Sequence, residues 1–126
     1  MDKSQFLTAV RSAGAAESTR EAEMVAMAVT RSLAQLLSDP AERRHFIAQL
    51  PGFLKTPLRE EPPASLAMDR EALIQHVAAA LGTHASRATQ ALHAVWKVLR
   101  SAVSPGELAA FERAVPSEIV AFLEAG

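Results

Sequence analysis

The chain contains no cysteine and no tyrosine, only five glycines, and no long apolar run. The missing cysteine excludes a disulfide framework, a thiolate metal site and cysteine-based catalysis together, and leaves the compartment open. The missing apolar run excludes a membrane-spanning helix, which needs roughly 20 consecutive apolar residues. Met1-Asp2-Lys3-Ser4-Gln5-Phe6 turns amphipathic at once and has no apolar leader region, so a soluble cytoplasmic protein is the expectation. An excess of one charge is missing too: 13 Lys and Arg meet 14 Asp and Glu, for a net charge of -1. That balance argues against a nucleic acid or an anionic membrane recognised through a global electrostatic field. No glycine-rich phosphate loop and no Gly-x-Ser-x-Gly elbow occurs either.

What is present is alanine, 26 residues of 126, which leans the whole chain toward helix. The chain also repeats itself. Asp39-Pro40-Ala41-Glu42, Phe46 and Leu50-Pro51 return in register as Ser104-Pro105-Gly106-Glu107, Phe111 and Val115-Pro116. In each, Asp or Ser is the helix N-cap, proline occupies the first helical position, glutamate the third, and the second proline stops the helix.

The repeat extends in both directions. Asp2, a candidate N-cap with Gln5 three residues on, and Phe6, Leu7 and Val10 at helical spacing before Gly14, match Asp69 in the same capping place with Leu73, Ile74 and Val77 before Gly82. A longer helix follows, opened in the first copy by the capping box Ser18-Thr19-Arg20-Glu21, with the stripe Ala22, Val25, Ala26, Val29, Leu33, Leu36 and Leu37. Its counterpart carries Ala88, Ala91, Leu92, Val95, Leu99, Ala102 and Val103. The offset between copies falls from 67 to 66 to 65, and each step lies between helices. Loops absorb length changes, whereas an insertion inside a helix would rotate its apolar face by about 100°.

These signals predict an all-α fold of six main helices plus a short closing helix in each copy, packed as two similar three-to-four-helix repeats about a pseudo-twofold axis. Residues 1–58 form the first repeat and 69–126 the second, within one domain, because a unit of roughly 55 residues buries little core alone. Residues 59–68 link them. The wider stretch from Lys55 to Met68, with Pro57, Pro62, Pro63 and Glu60-Glu61, reads as linker, tacked down by Leu58, Leu66 and Met68.

Ser104-Pro105-Gly106-Glu107-Leu108, Val115-Pro116-Ser117-Glu118 and the alanine-rich stretch from Gly82 to Leu99 resemble the bacterial family named domain of unknown function 2267. Phe6-Leu7 through Gln49-Leu50-Pro51 resembles the other copy of the same unit. The resemblance covers nearly the whole chain and implies the duplicated helical fold. It carries no reaction, ligand or catalytic residue.

No reactive constellation stands out. His76, His84 and His93 are eight and nine residues apart across a glycine, unlike an i,i+4 ligand pair, and His93 falls opposite the apolar stripe, where water would reach it. Glu42 and Glu107 are explained by helix capping. No catalytic residue, metal or cofactor is therefore expected.

The differences between the copies are more informative. Arg43-Arg44-His45 stands where the second copy has Leu108-Ala109-Ala110. This is either a solvated helix face or, with Lys55 and Arg59, a small site for an anion or an acidic protein. Trp96 replaces Thr30, as a core-edge residue or an interface anchor. Met24 and Met27 stand on the polar side of their helix, opposite Gln90 and His93, where flexible thioethers suit a partner helix in a homodimer. A non-catalytic protein-interaction or scaffold module is the first functional expectation, without nucleic acid or membrane. A small-molecule sensor or carrier with an apolar pocket between the repeats is the alternative.

Overall fold

Helix starts follow the capping residues. In the computed structural model, which describes all 126 residues, Asp2 accepts a hydrogen bond from the Gln5 N–H at 2.8 Å while the Gln5 side chain accepts from the Asp2 N–H at 2.9 Å. This closed capping box opens α1 (Lys3–Ser12). Ser18, Asp39 and Asp69 cap α2 (Thr19–Gln35), α3 (Pro40–Ala48) and α5 (Arg70–Leu81) through a side-chain oxygen that accepts from the Glu21, Ala41 and Ala72 N–H. None has the reciprocal bond, so the box expected at Ser18–Glu21 is only half closed. Ser104 stands at the head of α7 (Pro105–Ala114) but its hydroxyl makes no capping bond. Its carbonyl alone accepts from Glu107 and Leu108.

Two elements depart from the sequence expectation. α6 (Ala85–Ala102) is capped by His84, whose Nδ1 accepts from the Arg87 N–H at 3.4 Å and lies 2.9 Å from the Ser86 hydroxyl. Histidine is outside the usual capping set, so this role was not legible. α4 (Gly52–Glu60) runs straight through Lys55 and Pro57, residues read above as linker. Pro57 forfeits one helix hydrogen bond, but Leu54 and Leu58, four residues apart on one face, are both buried and hold the helix to its neighbours. α8 (Ser117–Glu124) closes the chain. There are eight helices and no strand, and none is long and apolar enough to cross a membrane.

The long helices α2 and α6 touch along the centre. α1 packs on both, and so does α5; α3 meets α7, while α4 and α8 close over α2 and α6 respectively. Of the 36 buried apolar residues, all but Ala28 form one continuous cluster that draws on both halves of the chain. Every residue of the two predicted stripes is buried except Leu36 and Ala102, which are half-buried. The buried hydroxyls of Thr30 and Ser32 donate back to the Ala26 and Ala28 carbonyls at 2.8 and 2.9 Å, so no polar group is stranded there. Phe46 stacks on Phe111 at 4.9 Å between ring centroids, and Trp96 packs on Phe111 at 5.5 Å. The two phenylalanines of the duplicated motif thus meet each other.

Candidate functional site

The most developed cleft lies inside the first copy. Its back wall is the last turn of α2, one side is the face of α3 bearing Pro40, Arg43, Arg44 and Ile47, and the other is the end of α4 with Leu58 and Arg59. The non-helical segment Glu61–Ala64 completes the lining as a strap. The strap is anchored just beyond, where the Leu66 N–H donates to the Gln35 carbonyl at 2.8 Å, so Leu66 tacks the linker down through its backbone while its side chain stays exposed. The enclosed space is about 660 Å³, within the range of small-molecule sites. The space at the seam between α3 and α7 is about 210 Å³.

Four arginines, Arg31, Arg43, Arg44 and Arg59, line this cleft against a single carboxylate, Glu61, an excess of three positive charges in a chain of net charge -1. Arg31 Nε donates to both Glu61 oxygens, at 2.7 and 3.1 Å. Arg44 and Arg59 are exposed and make no ion pair.

Arg43 is the anomaly. The sequence offered it to solvent, yet it is only 8% exposed, as deeply placed as its counterpart Leu108 at 4%. The segment that follows α2 reaches its side chain. Its Nη2 donates to the Leu37 carbonyl at 2.9 Å, its Nε is buried without any partner, and no carboxylate lies within ion-pair distance. Of its three guanidinium nitrogens only Nε is both buried and without a bond, while Nη2 has one neutral acceptor. Removing a charge from water without a partner costs several kcal/mol in folded proteins. An orphaned Nε beside an excess of positive side chains equips the cleft to take up an anion.

The other residues singled out by sequence are dispersed. Lys55 is half-buried and does not line the cleft. Met24 is 55% exposed, whereas Met27 is half-buried and packs on the core; both border a groove of about 430 Å³ between α2 and the end of α5. Trp96 is 1% exposed, inside the core rather than at its edge, and offers no surface to a partner. Its Nε1 and Glu107 Oε2 are the remaining buried polar atoms without a hydrogen bond. His93 is not solvated as the helical wheel suggested: its Nε2 lies 2.8 Å from the Phe122 carbonyl and its ring packs on Phe122, because α8 folds over that side of α6. His76 Nε2 meets Gln35 Oε1 at 2.9 Å, so the three histidines of the second copy serve three separate contacts. No three His, Asp or Glu side chains gather as a metal site.

Chemically, the cleft can neutralise and orient an anion while enclosing apolar surface, and no nucleophile or acid–base pair lines it. No curated protein matches the sequence. Residues 3–122 match the family model described as "Uncharacterized conserved protein (DUF2267)".

Proposed function

The chain belongs to the DUF2267 family, and we propose that this member is a non-catalytic binding module whose first half holds an anionic ligand in its arginine-lined cleft. The two halves are copies of one four-helix unit about a pseudo-twofold axis: α1 reaches across to α6 as α5 reaches across to α2, and Phe46 meets its own counterpart, Phe111. The second copy keeps leucine at position 108 and serves packing; the first has exchanged that leucine for a ligand-directed charge.

The observation that carries the reading is Arg43, a residue nine-tenths buried in the wall of a cleft of about 660 Å³, with its Nε unpartnered and no counter-ion. Proteins retain locally unfavourable groups where a ligand repays them on binding. Thermal melting of the full chain against a panel of organic anions, at constant ionic strength, tests this. A rise in melting temperature that saturates with concentration is expected for the wild type and absent in Arg43→Leu. Equal shifts in both proteins, or none in the wild type with any anion, would remove the reading.

A second reading, a protein-interaction module that pairs two copies of the chain, is favoured by the 55% exposure of Met24 beside the groove between α2 and α5. It uses a different face and is compatible with an occupied cleft.

A further inference from the structure

We infer that the ligand of the arginine cleft is an apolar carboxylate, an acyl or aryl body ending in one carboxylate group, and that Glu61 is its tethered competitor. The inference rests on reading the cleft as an anion site and adds which anion.

The head group is indicated by what already occupies Arg31. Glu61, thirty residues away on the strap, brings both carboxylate oxygens to Arg31 Nε at 2.7 and 3.1 Å. This is recognition of a carboxylate inside the cleft, made by the chain's own side chain. Both partners are a little over one third exposed, so the pair exchanges with water and contributes little to folding. A ligand carboxylate entering the cleft meets the guanidinium of Arg31 with the same chemistry, and Glu61 swings out with the strap at small cost. Glu61 leaves Arg43 unpaired, so the internal carboxylate satisfies only part of the demand.

The body of the ligand is indicated by the rest of the lining. Ile47, Leu58, Pro40, Pro62 and Pro63 surround the space with carbon. The only uncharged polar side chain is Gln35, and its carbonyl oxygen is already engaged by His76. Reading a sugar, a base or a polyol takes several acceptors as well as donors, and the only side-chain acceptors in the lining are Glu61 and the engaged Gln35. Positively charged donors in a lining otherwise largely of carbon describe an amphipathic acid.

Calorimetric titration of the full chain at constant ionic strength with octanoate, octyl phosphate and octanol tests the assignment. Octanoate is expected to bind with one site per chain, octyl phosphate more weakly and octanol not measurably. Glu61→Gln, which removes the competitor and leaves the cleft intact, is expected to lower the octanoate Kd roughly two- to fivefold, the size of an exposed ion pair. Arg43→Leu is expected to raise it by about tenfold or more, as loss of a charge-assisted contact does. Tighter binding of octyl phosphate than of octanoate, or a Glu61→Gln variant that binds no better than wild type, overturns the carboxylate assignment and leaves the anion cleft standing. Octanol binding as well as octanoate, or no binding by any of the three together with no anion-dependent thermal shift, overturns both.

Discussion

Arg43→Leu makes the first copy like the second, and it should stabilise the ligand-free protein. Wild-type Arg43 is 8% exposed as a residue, has a single side-chain hydrogen bond, to the Leu37 carbonyl at 2.9 Å, and forms no ion pair. Replacing buried ionic groups by apolar ones of similar volume is often stabilising by about 1–4 kcal/mol, and here no ion pair is lost. Against that, the Leu37 carbonyl forfeits its partner, at about 1–3 kcal/mol if it stays dry, and the shorter leucine leaves some space unfilled. The cleft beside Arg43 admits water, which softens both the original penalty and the orphaned carbonyl. The net expectation is a gain of about 1–2 kcal/mol, or roughly 3–8 °C in melting temperature for a domain of this size. Urea and thermal unfolding followed by circular dichroism measure it. With octanoate at ten times its Kd, the wild type should recover about 1.4 kcal/mol while the variant gains little, so the gap between the two closes. A variant destabilised by 1 kcal/mol or more would refute the reasoning, because it would make Arg43 a structural clamp on the end of α2.

Trp96→Ala should cost about 3–5 kcal/mol as a large buried ring is removed, whereas Trp96→Phe should cost under about 1.5 kcal/mol, since Nε1 has no bond to lose; a near-neutral Trp96→Ala by urea titration would contradict its central place. His84→Asp should stabilise by about 0.5–1 kcal/mol, replacing a long 3.4 Å capping bond with a stronger acceptor at the positive end of α6. Lower stability of that variant would show that His84 is held by something other than its cap. Met24→Glu should change monomer stability by less than about 0.5 kcal/mol; if two copies pair through this face, the solution mass by light scattering falls to that of one chain, and an unchanged mass removes that contact. Met27 is unsuited to this test because it is half-buried on the core and its substitution perturbs folding as well.

Features set by short-range chemistry were legible in the sequence. The Asp2 capping box, the Asp39 and Asp69 caps, the left-handed Gly82 and the stripes of α2 and α6 depend on neighbours within about four residues, and all stand as expected. Features that depend on what folds over a helix were not. Arg43, His93 and Trp96 each look polar or peripheral on their own helix. Each is buried or half-buried and met by a part of the chain outside its own helix: the segment after α2 at Arg43, α8 at His93, and Phe111 of α7 at Trp96. The comparison of copies located the candidate site all the same, since Arg43-Arg44 against Leu108-Ala109 is its principal departure. Depth was the missing information, and with it the unpaired charge. Pro57 misled in the other direction, because a proline in a polar stretch reads as a break unless the burial of Leu54 and Leu58 is known.

Amide chemical-shift mapping of the 15N-labelled chain during an octanoate titration tests the central claim most directly. Perturbations should saturate at one ligand per chain and concentrate in residues 31–35, 43–47 and 58–64, the walls and strap of the cleft. The corresponding surface of the second copy, around Leu108, should stay still. Shifts centred on the α3–α7 seam or on Met24, or the same pattern retained in Arg43→Leu, would contradict a ligand site built around Arg43.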